Sequence, residues 1–326
     1  MIVLDADVLG RNRTGEETYV LNLLRQLPEV APDFELAAVT RHPELVPEGV
    51  RPLELAARLQ ETRMAWSLPR LLRRLSPELA HFQHALPLGY RSRSVVTLHD
   101  LHFERDPSAM GLVDRLTFKA VVPRAARNAD HVIAVSERTK RDAVELYGID
   151  PEKITVTPHG VDPAFSPGDA SHDDYLLFVG AVQARKDPLA ALAAADSAGL
   201  RLVVAGPEKD RALARELRAR GADVRGFVER EELAALYRRA AALLLPSRFE
   251  GFGIPVLEAM ASGTPVVLSD DPALREVAGD AGVYGSVADA LRDRDRYRAA
   301  GLERAKRFSW RRTAELTAEV YRKVLA

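Results

Sequence analysis

The segment from Ala241 to Asp270, AALLLPSRFEGFGIPVLEAMASGTPVVLSD, restricts this chain to a narrow set of folds. Ala242–Leu245 is an apolar run that reads as a buried strand. It breaks at Pro246 and Ser247 into a loop with two glycines, Gly251 and Gly253. Pro255 stands where a helix can begin, because its missing N–H is an orphan donor in a first turn anyway. Val256, Leu257, Met260 and Ala261 give that helix an apolar face. Gly263 and Pro265 close it, and Pro265–Leu268 starts a second buried strand. Such a strand–loop–helix–strand unit belongs to a parallel α/β sheet, where ligands bind at the carboxyl ends of the strands. Glu250 in the loop and Glu258 early in the helix frame that end.

The same alternation runs through the whole chain. Strands are expected at residues 1–8, 34–40, 79–82, 94–98, 131–135 and 154–157. Helices are expected at 16–27, stopped by Pro28, and at 58–75, 112–127 and 137–147, the last capped by Ser136. The stretch PHGVDPAFSPGD (158–169), with three prolines and two glycines, is the best boundary in the chain. Beyond it the pattern restarts with strands at 175–179 and 202–205 and a short one near Val224. Helices follow from Asp187-Pro188, at 209–220 and at 230–241. After the opening unit come a short helix at 273–277, one from about Ser286 to Lys306, and a last one at 310–325. A chain of 326 residues is long for one core. Together these features predict two doubly wound, Rossmann-like parallel-sheet domains facing across a cleft.

Charge and composition exclude several functions. The 46 basic and 47 acidic residues nearly cancel, which argues against nucleic-acid binding by bulk electrostatics. No cysteine is present, so disulfides, thiolate metal sites and a cysteine nucleophile are out, and a reducing cytoplasm fits. The first residues do not read as a signal peptide, and no apolar window approaches the ~20 residues of a membrane span. Arg58–Leu75 interleaves Trp66, Leu68, Leu71, Leu72 and Leu75 with Arg58, Arg63, Arg70, Arg73 and Arg74. It reads as an ordinary helix, leucines inward and arginines solvated. The second reading is peripheral contact with an anionic membrane, which Pro69 weakens by interrupting the helix.

Several residues could carry chemistry. The glycine loop and helix start before Pro255 offer backbone N–H groups and a dipole to an anion such as a phosphate. Glu250 and Glu258 could be a general acid/base pair, as in a glycosidase, or could accept hydrogen bonds from sugar and ribose hydroxyls. Arg185-Lys186, just past a strand, would supply fixed positive charge for a diphosphate, where charge stabilisation is a large catalytic term. His99 follows its strand in the same way, with Asp100 beside it and His84 and His102 nearby in sequence. Asp5 and Asp7 spell D-x-D, a metal–nucleotide pattern, but no ligand cluster supports it and the structural reading is favoured. Neither a G-x-G-x-x-G fingerprint nor a P-loop follows any strand.

Assembled, these residues resemble a family-4 retaining glycosyltransferase of the GT-B fold over nearly the whole chain. PSRFEGFGIPVLEAMASGTPVV is similar to the family's E-x7-E signature, with Glu250 and Glu258 in the acidic positions. FVGAVQARKDP resembles the segment whose Arg and Lys hold the donor diphosphate, here Arg185 and Lys186. VVAGP, GFV and ELAALYRRA resemble nucleotide-pocket segments, and REVAGDAG and FSWRRTAELTAEVYRKVL are also family-like. In the N-terminal half, TGEETYVLNLL, TLHDLHFERDP, AVSERTKRD and PHGVD match, the last as the hinge. These phrases look most like the mannosyltransferase branch that builds cell-surface polysaccharide. The family's D-P-rich stretch is shortened here to VYGSVADALRDRDR (283–294).

The resemblance implies an acceptor-side domain over 1–162, with helix 310–326 packing back on it, and a donor domain over 163–309. It implies catalytic roles for His99, Arg185, Lys186 and Glu250. Donor contacts are implied at Gly15, Gly180, Gly206, Phe227, Gly251, Phe252, Gly253, Ile254 and Glu258. The expected reaction moves a hexosyl unit, mannose favoured, from a nucleotide diphosphate sugar to a glycan or lipid-linked saccharide acceptor. GDP-mannose is the favoured donor and a UDP-sugar the next. No metal and no further cofactor are implied, and the expected location is the cytoplasm, at the inner face of the membrane. The alternatives are a GT-B-like sugar-nucleotide epimerase, a phosphorylase, or a non-catalytic sugar-nucleotide-binding protein. No feature assigns an oligomeric state.

Overall fold

The computed structural model describes every residue except 12–13, 56, 58, 107–110 and 169–170. The chain divides into two compact units, one of Met1–His159 with Trp310–Ala326, the other of Gly160–Ser309.

In the first unit, β1 (Ile2–Asp5), β2 (Leu36–Thr40), β3 (Arg51–Glu54), β4 (Leu79–Gln83), β5 (Ser94–Leu98), β6 (His131–Ala134) and β7 (Ile154–Val156) form one sheet. Its order is β3-β2-β1-β4-β5-β6-β7, and every pairing is parallel. The helices between are α1 (Thr14–Val30), α2 (Gln60–Thr62), α3 (Leu68–Leu75), α4 (His102–Arg105), α5 (Leu112–Asn128) and α6 (Glu137–Tyr147). Successive strand side chains point to opposite faces. Ile2, Leu4, Leu79, Val95 and Ile133 therefore pack under α1 and the C-terminal helix, which brings Trp310, Ala314, Ala318 and Tyr321. Val3, Ala80, Val96 and Val132 pack on the other side under α3, α5 and α6. Each fully buried large side chain contributes roughly 1.5–3 kcal/mol.

Three local expectations need correction here. Helix α1 does not stop at Pro28 but runs through it to Val30. A proline in the last turn removes one ladder bond and leaves the rest of the helix intact. Residues 60–75 are not one helix: α2 gives way to a π-turn at Arg63–Ser67 before α3, where Pro69 sits in the first turn. Leu68, Leu71 and Leu72 face the core and Arg70, Arg73 and Arg74 are exposed, but Arg63 is fully buried rather than solvated. Arg58, at the start of that stretch, lies outside the described residues, as does Asp169 at the end of the 158–169 boundary. Strand β3 carries no apolar signal: it is an edge strand, mostly exposed, and contains Pro52.

The second unit repeats the plan. Strands β8 (Tyr175–Val179), β9 (Arg201–Ala205), β10 (Asp223–Gly226), β11 (Ala242–Leu245), β12 (Val266–Leu268) and β13 (Gly282–Val283) are ordered β10-β9-β8-β11-β12-β13, all parallel. Leu176, Phe178, Leu202, Val204 and Leu244 pack against α7 (Pro188–Ala198), α8 (Arg211–Ala219) and, later in the chain, Val287 and Ala290. Next come α9 (Arg230–Arg239), α10 (Ile254–Ala261) and α11 (Pro272–Ala278). The helix expected over 286–306 is two, α12 (Val287–Arg292) and α13 (Arg294–Ala305), split at Asp293. A reciprocal capping box between Ser286 and Asp289 fixes the start of α12. The final helix, α14 (Trp310–Leu325), belongs to the first unit. No described helix is long and apolar enough to cross a membrane.

Candidate active site

In the second unit the strand order reverses between β8 and β11. The loops leaving those two strands border the crevice where open α/β sheets bind ligands. After β8 the chain passes Gly180 into a short 3-10 turn, Ala184–Lys186, and Asp187 then caps α7. After β11 it passes Ser247 to Glu250. Backbone bonds stitch the loops together: Arg248 N–H donates to the Arg185 carbonyl at 2.9 Å, and the Arg185 guanidinium donates to the Phe249 carbonyl. The Lys186 ammonium donates to Glu250, and an Arg185 nitrogen lies 3.8 Å from the other Glu250 oxygen. All three side chains are nearly buried, at 9% exposure for Arg185, 13% for Lys186 and 7% for Glu250. Burial alone would raise the Glu250 pKa, but the charges of Lys186 and Arg185 outweigh it and hold the carboxyl below its ordinary value.

Backbone geometry explains the glycines. Gly206, after β9, has φ +144°, and a Cβ there would lie 2.1 Å from the Gly180 carbonyl oxygen. The loops after β8 and β9 touch backbone to backbone at that point. Gly253 has φ +105° as the N-cap of α10, with Ile254 and Pro255 opening the helix. Gly251 and Phe252 are buried, the Phe252 ring packing edge-on to Phe308 at 6.1 Å. Phe227, just past β10, is 49% exposed.

Glu258 has quite different company. The Tyr237 hydroxyl donates to its Oε2 at 2.8 Å. Burial and the charge of Asp162 raise its pKa to about 7, against Tyr237 and Arg230, which favour the ionised form. Glu250 is thus held ionised by two cations, while Glu258 titrates near neutrality. Tyr237 and Asp162 lie in segments that the sequence marks as family-like, but no local signal pairs them, or Arg230, with Glu258, since Tyr237 is 21 residues from its partner.

The first unit holds a histidine cluster at the carboxyl edge of its sheet. His99 follows β5, its Nε2 donating to Gln83 Oε1 at 2.8 Å. Its ring lies 4.9 Å from Tyr19, 5.2 Å from His84 and 6.0 Å from His159. Burial first, and the nearby charge of His84 second, lower its pKa to about 4, so the ring is neutral at physiological pH. His84 Nε2 lies 3.5 Å from Glu16 Oε1. Gly15, beside Glu16, is exposed in the first turn of α1. His102 bonds to Asp100 at 2.5 Å. Sequence reasoning noted His84 but missed Glu16, the residue next to Gly15.

Asp5 and Asp7 are occupied by arginines. Arg63 grips Asp5 through both terminal nitrogens, at 3.0 and 2.5 Å, and Arg41 grips Asp7 with two bonds of 2.8 Å. Arg11 also pairs with Asp7. The D-x-D pattern therefore ties the ends of β1 and β2 to the π-turn that follows β3. Among the described residues no group of His, Asp and Glu is arranged to hold a metal ion.

Two parallel sheets with helices on both faces, each with charged loops at its switch point, match the architecture of the GT-B fold. Residues 13–165 match the family model "Glycosyltransferase Family 4", and residues 164–297 match "Glycosyl transferases group 1". The chain belongs to the family-4 glycosyltransferases. It is 26% identical over 307 residues to the O-antigen chain mannosyltransferase RfbU of Salmonella typhimurium, a match covering 87% of this chain and 86% of that protein. It is 34% identical over 256 residues to the D-inositol 3-phosphate glycosyltransferase of Kineococcus radiotolerans, covering 60% of this chain and 58% of that one. Among solved structures it is similar to the sucrose-phosphate synthase of Thermosynechococcus elongatus, with TM-score 0.79 and 20% identity over 99% and 98% of the two chains.

Proposed function

We propose that this glycosyltransferase moves a hexosyl unit, mannose in the first instance, from a nucleotide diphosphate sugar to a saccharide hydroxyl with retention at the anomeric carbon. The observation that carries the proposal is the buried Lys186–Glu250–Arg185 cluster at the switch point of the second sheet. Two cations fixed there would neutralise the negative charge that develops on the departing diphosphate without solvent reorganisation. They would serve in place of a divalent ion, so no metal is proposed. Backbone N–H groups at Gly251 and Gly253 and the start of α10 would add to that field. Glu250, kept ionised by its cations, would accept hydrogen bonds from the donor sugar. Glu258 would take the ribose, with Gly180, Gly206, Phe227, Phe252 and Ile254 shaping the nucleotide pocket. His99, buried and neutral, is assigned to the transferred sugar by the resemblance. Gly15 is assigned to the donor by the same resemblance. The identity with RfbU, an O-antigen chain mannosyltransferase, supports mannose as the transferred sugar and a polysaccharide acceptor; GDP-mannose is the proposed donor and a lipid-linked saccharide belongs to the same acceptor proposal. A UDP-sugar is the next donor. A cytoplasmic site of action at the membrane's inner face and contact through residues 58–75 belong to the same proposal.

Thermal unfolding with GDP, UDP and ADP tests the donor site. A nucleotide at one hundred times its dissociation constant adds about 2.7 kcal/mol of stability. No shift with any of the three refutes the donor-site assignment. Incubation of GDP-mannose with the protein, without acceptor, should then release GDP slowly with no epimeric sugar nucleotide. Lys186→Ala should abolish turnover; unchanged turnover would remove that residue from the mechanism.

A further inference from the structure

The first unit carries a counterpart of the Lys186–Glu250 pair that the glycosyl-transfer reading leaves unused. Its strand order reverses between β1 and β4. Ligand crevices in open α/β sheets form at such reversals. Glu16, in the first turn of α1 after β1, and His84, the residue after β4, meet at this reversal with Nε2 3.5 Å from Oε1. In the second unit the cation follows the first strand of the reversal and the carboxylate follows the second; here the order is inverted.

We infer that the Glu16–His84 pair holds the acceptor through the hydroxyl groups of a saccharide ring, Glu16 making the contact and His84 positioning it. This rests on the glycosyltransferase reading above.

Three features support the assignment. His84 has φ +59°, a left-handed conformation rare outside glycine and common where a functional group must be aimed. The Glu16 side chain is 34% exposed while that of His84 is 11% exposed, so the carboxylate is the member that a ligand reaches and the imidazole is its support. Burial alone would raise the Glu16 pKa, but its bond to His84 and the charges of His84 and His99 bring it down to about 2. On the histidine, burial lowers the pKa, yet Glu16 and Asp100 together raise it. An ionised carboxylate has about four acceptor positions, and among the described residues the His84 imidazole takes one of them. Adjacent ring hydroxyls supply matching donors. The Glu16 carboxylate and the neighbouring Asp100 disfavour a phosphate at this point, which assigns the acceptor's contacting portion as sugar.

Transfer by the full chain from GDP-mannose and from UDP-glucose to octyl α-mannoside, octyl β-glucoside and octyl β-galactoside tests this. Glu16→Gln should raise KM for the glycoside that wild type uses by about tenfold, the size of one lost hydrogen bond to a charged group. Its kcat should change little, and the nucleotide-induced rise in melting temperature should be that of wild type. Glu16→Asp should recover part of the loss, and His84→Asn should shift KM in the same direction as Glu16→Gln. An unchanged glycoside KM in Glu16→Gln, or a loss of nucleotide binding in that variant, overturns the inference. If nucleotides bind and sugar is released, yet wild type uses none of the three glycosides, the saccharide assignment fails while the donor reading stands. If no nucleotide binds wild type, the donor reading fails and the inference falls with it.

Discussion

Glu250→Gln separates a buried, working ion pair from a surface one. This carboxylate is the counter-ion of both Lys186 and Arg185, and all three side chains are 7–13% exposed. Removing one partner of a buried pair typically costs about 3–5 kcal/mol, because the remaining charge stays desolvated. Here the lower end applies: the glutamine oxygen still accepts from Lys186, and Arg185 keeps its bond to the Phe249 carbonyl. A loss of about 3 kcal/mol corresponds to a fall of roughly 6–12 °C in melting temperature for a unit of this size. A nucleotide diphosphate in the proposed site would bring negative charge back to the two cations, so saturating GDP or UDP should stabilise the variant more than it stabilises wild type. Sugar transfer should nevertheless fall, since the proposed contact to the donor sugar is gone. Differential scanning calorimetry of wild type, Glu250→Gln, Lys186→Met and the double variant gives the coupling directly. If Glu250→Gln melts within about 1 °C of wild type without nucleotide, the pair is solvated and the reasoning from burial is wrong.

Gly206→Ala places a Cβ 2.1 Å from the Gly180 carbonyl at φ +144°, with only backbone to give way. Urea denaturation should show a loss of about 3 kcal/mol or more, and a loss below 1 kcal/mol would mean the two loops are not packed as described. Asp5→Asn strips Arg63, fully buried, of the carboxylate it grips with both terminal nitrogens and leaves it Asp7 at 3.5 Å; the same assay should register about 3 kcal/mol, and added Mg²⁺ should leave the wild-type melting temperature unchanged because both aspartates are already occupied. Glu258 binds its proton more tightly folded than unfolded, its pKa being raised from 4.5 to about 7. The stability this contributes is complete below pH 4.5 and is lost as pH rises through 7, about 3 kcal/mol in all. Glu258→Gln should flatten that part of the stability–pH profile, and an unchanged profile would refute the shift.

The sheet cores were legible because parallel strands buried on both faces read as apolar runs, as Tyr175–Val179 and Ala242–Leu245 do. The switch-point loops were legible for the same reason: each begins where such a run ends, which placed Arg185, Lys186, Glu250 and His99 at carboxyl edges. What stayed hidden has no local signature. Strand β3 pairs only with β2 and needs no apolar face. Arg63 looked like one more solvated arginine, because Asp5 lies 58 residues away. Glu16 meets His84 across 68 residues of chain, and nothing around either residue announces the other. At Pro28 the helix runs three residues past its expected stop, and at Asp293 one expected helix becomes two, both at boundaries where propensity is a weak guide.

Buried acids in this chain show how far residue type alone falls short of chemistry. Asp5, Glu250 and Glu258 each sit near the carboxyl edge of a sheet or on the helix that follows it, and each is at least nine-tenths buried. Asp5 lies in the fork of an arginine and stays there as a structural tie. Glu250 is held ionised by Lys186 and Arg185, and in the proposed donor site it would share those two cations with the diphosphate. Glu258 has only a tyrosine hydroxyl as its close partner among the described residues, and its charge is left to the pH. A ribose clamp must accept from hydroxyls, which the ionised form does better. Binding a nucleotide sugar would then draw the proton off Glu258, so donor affinity and the ionisation of this one side chain are two readings of the same equilibrium.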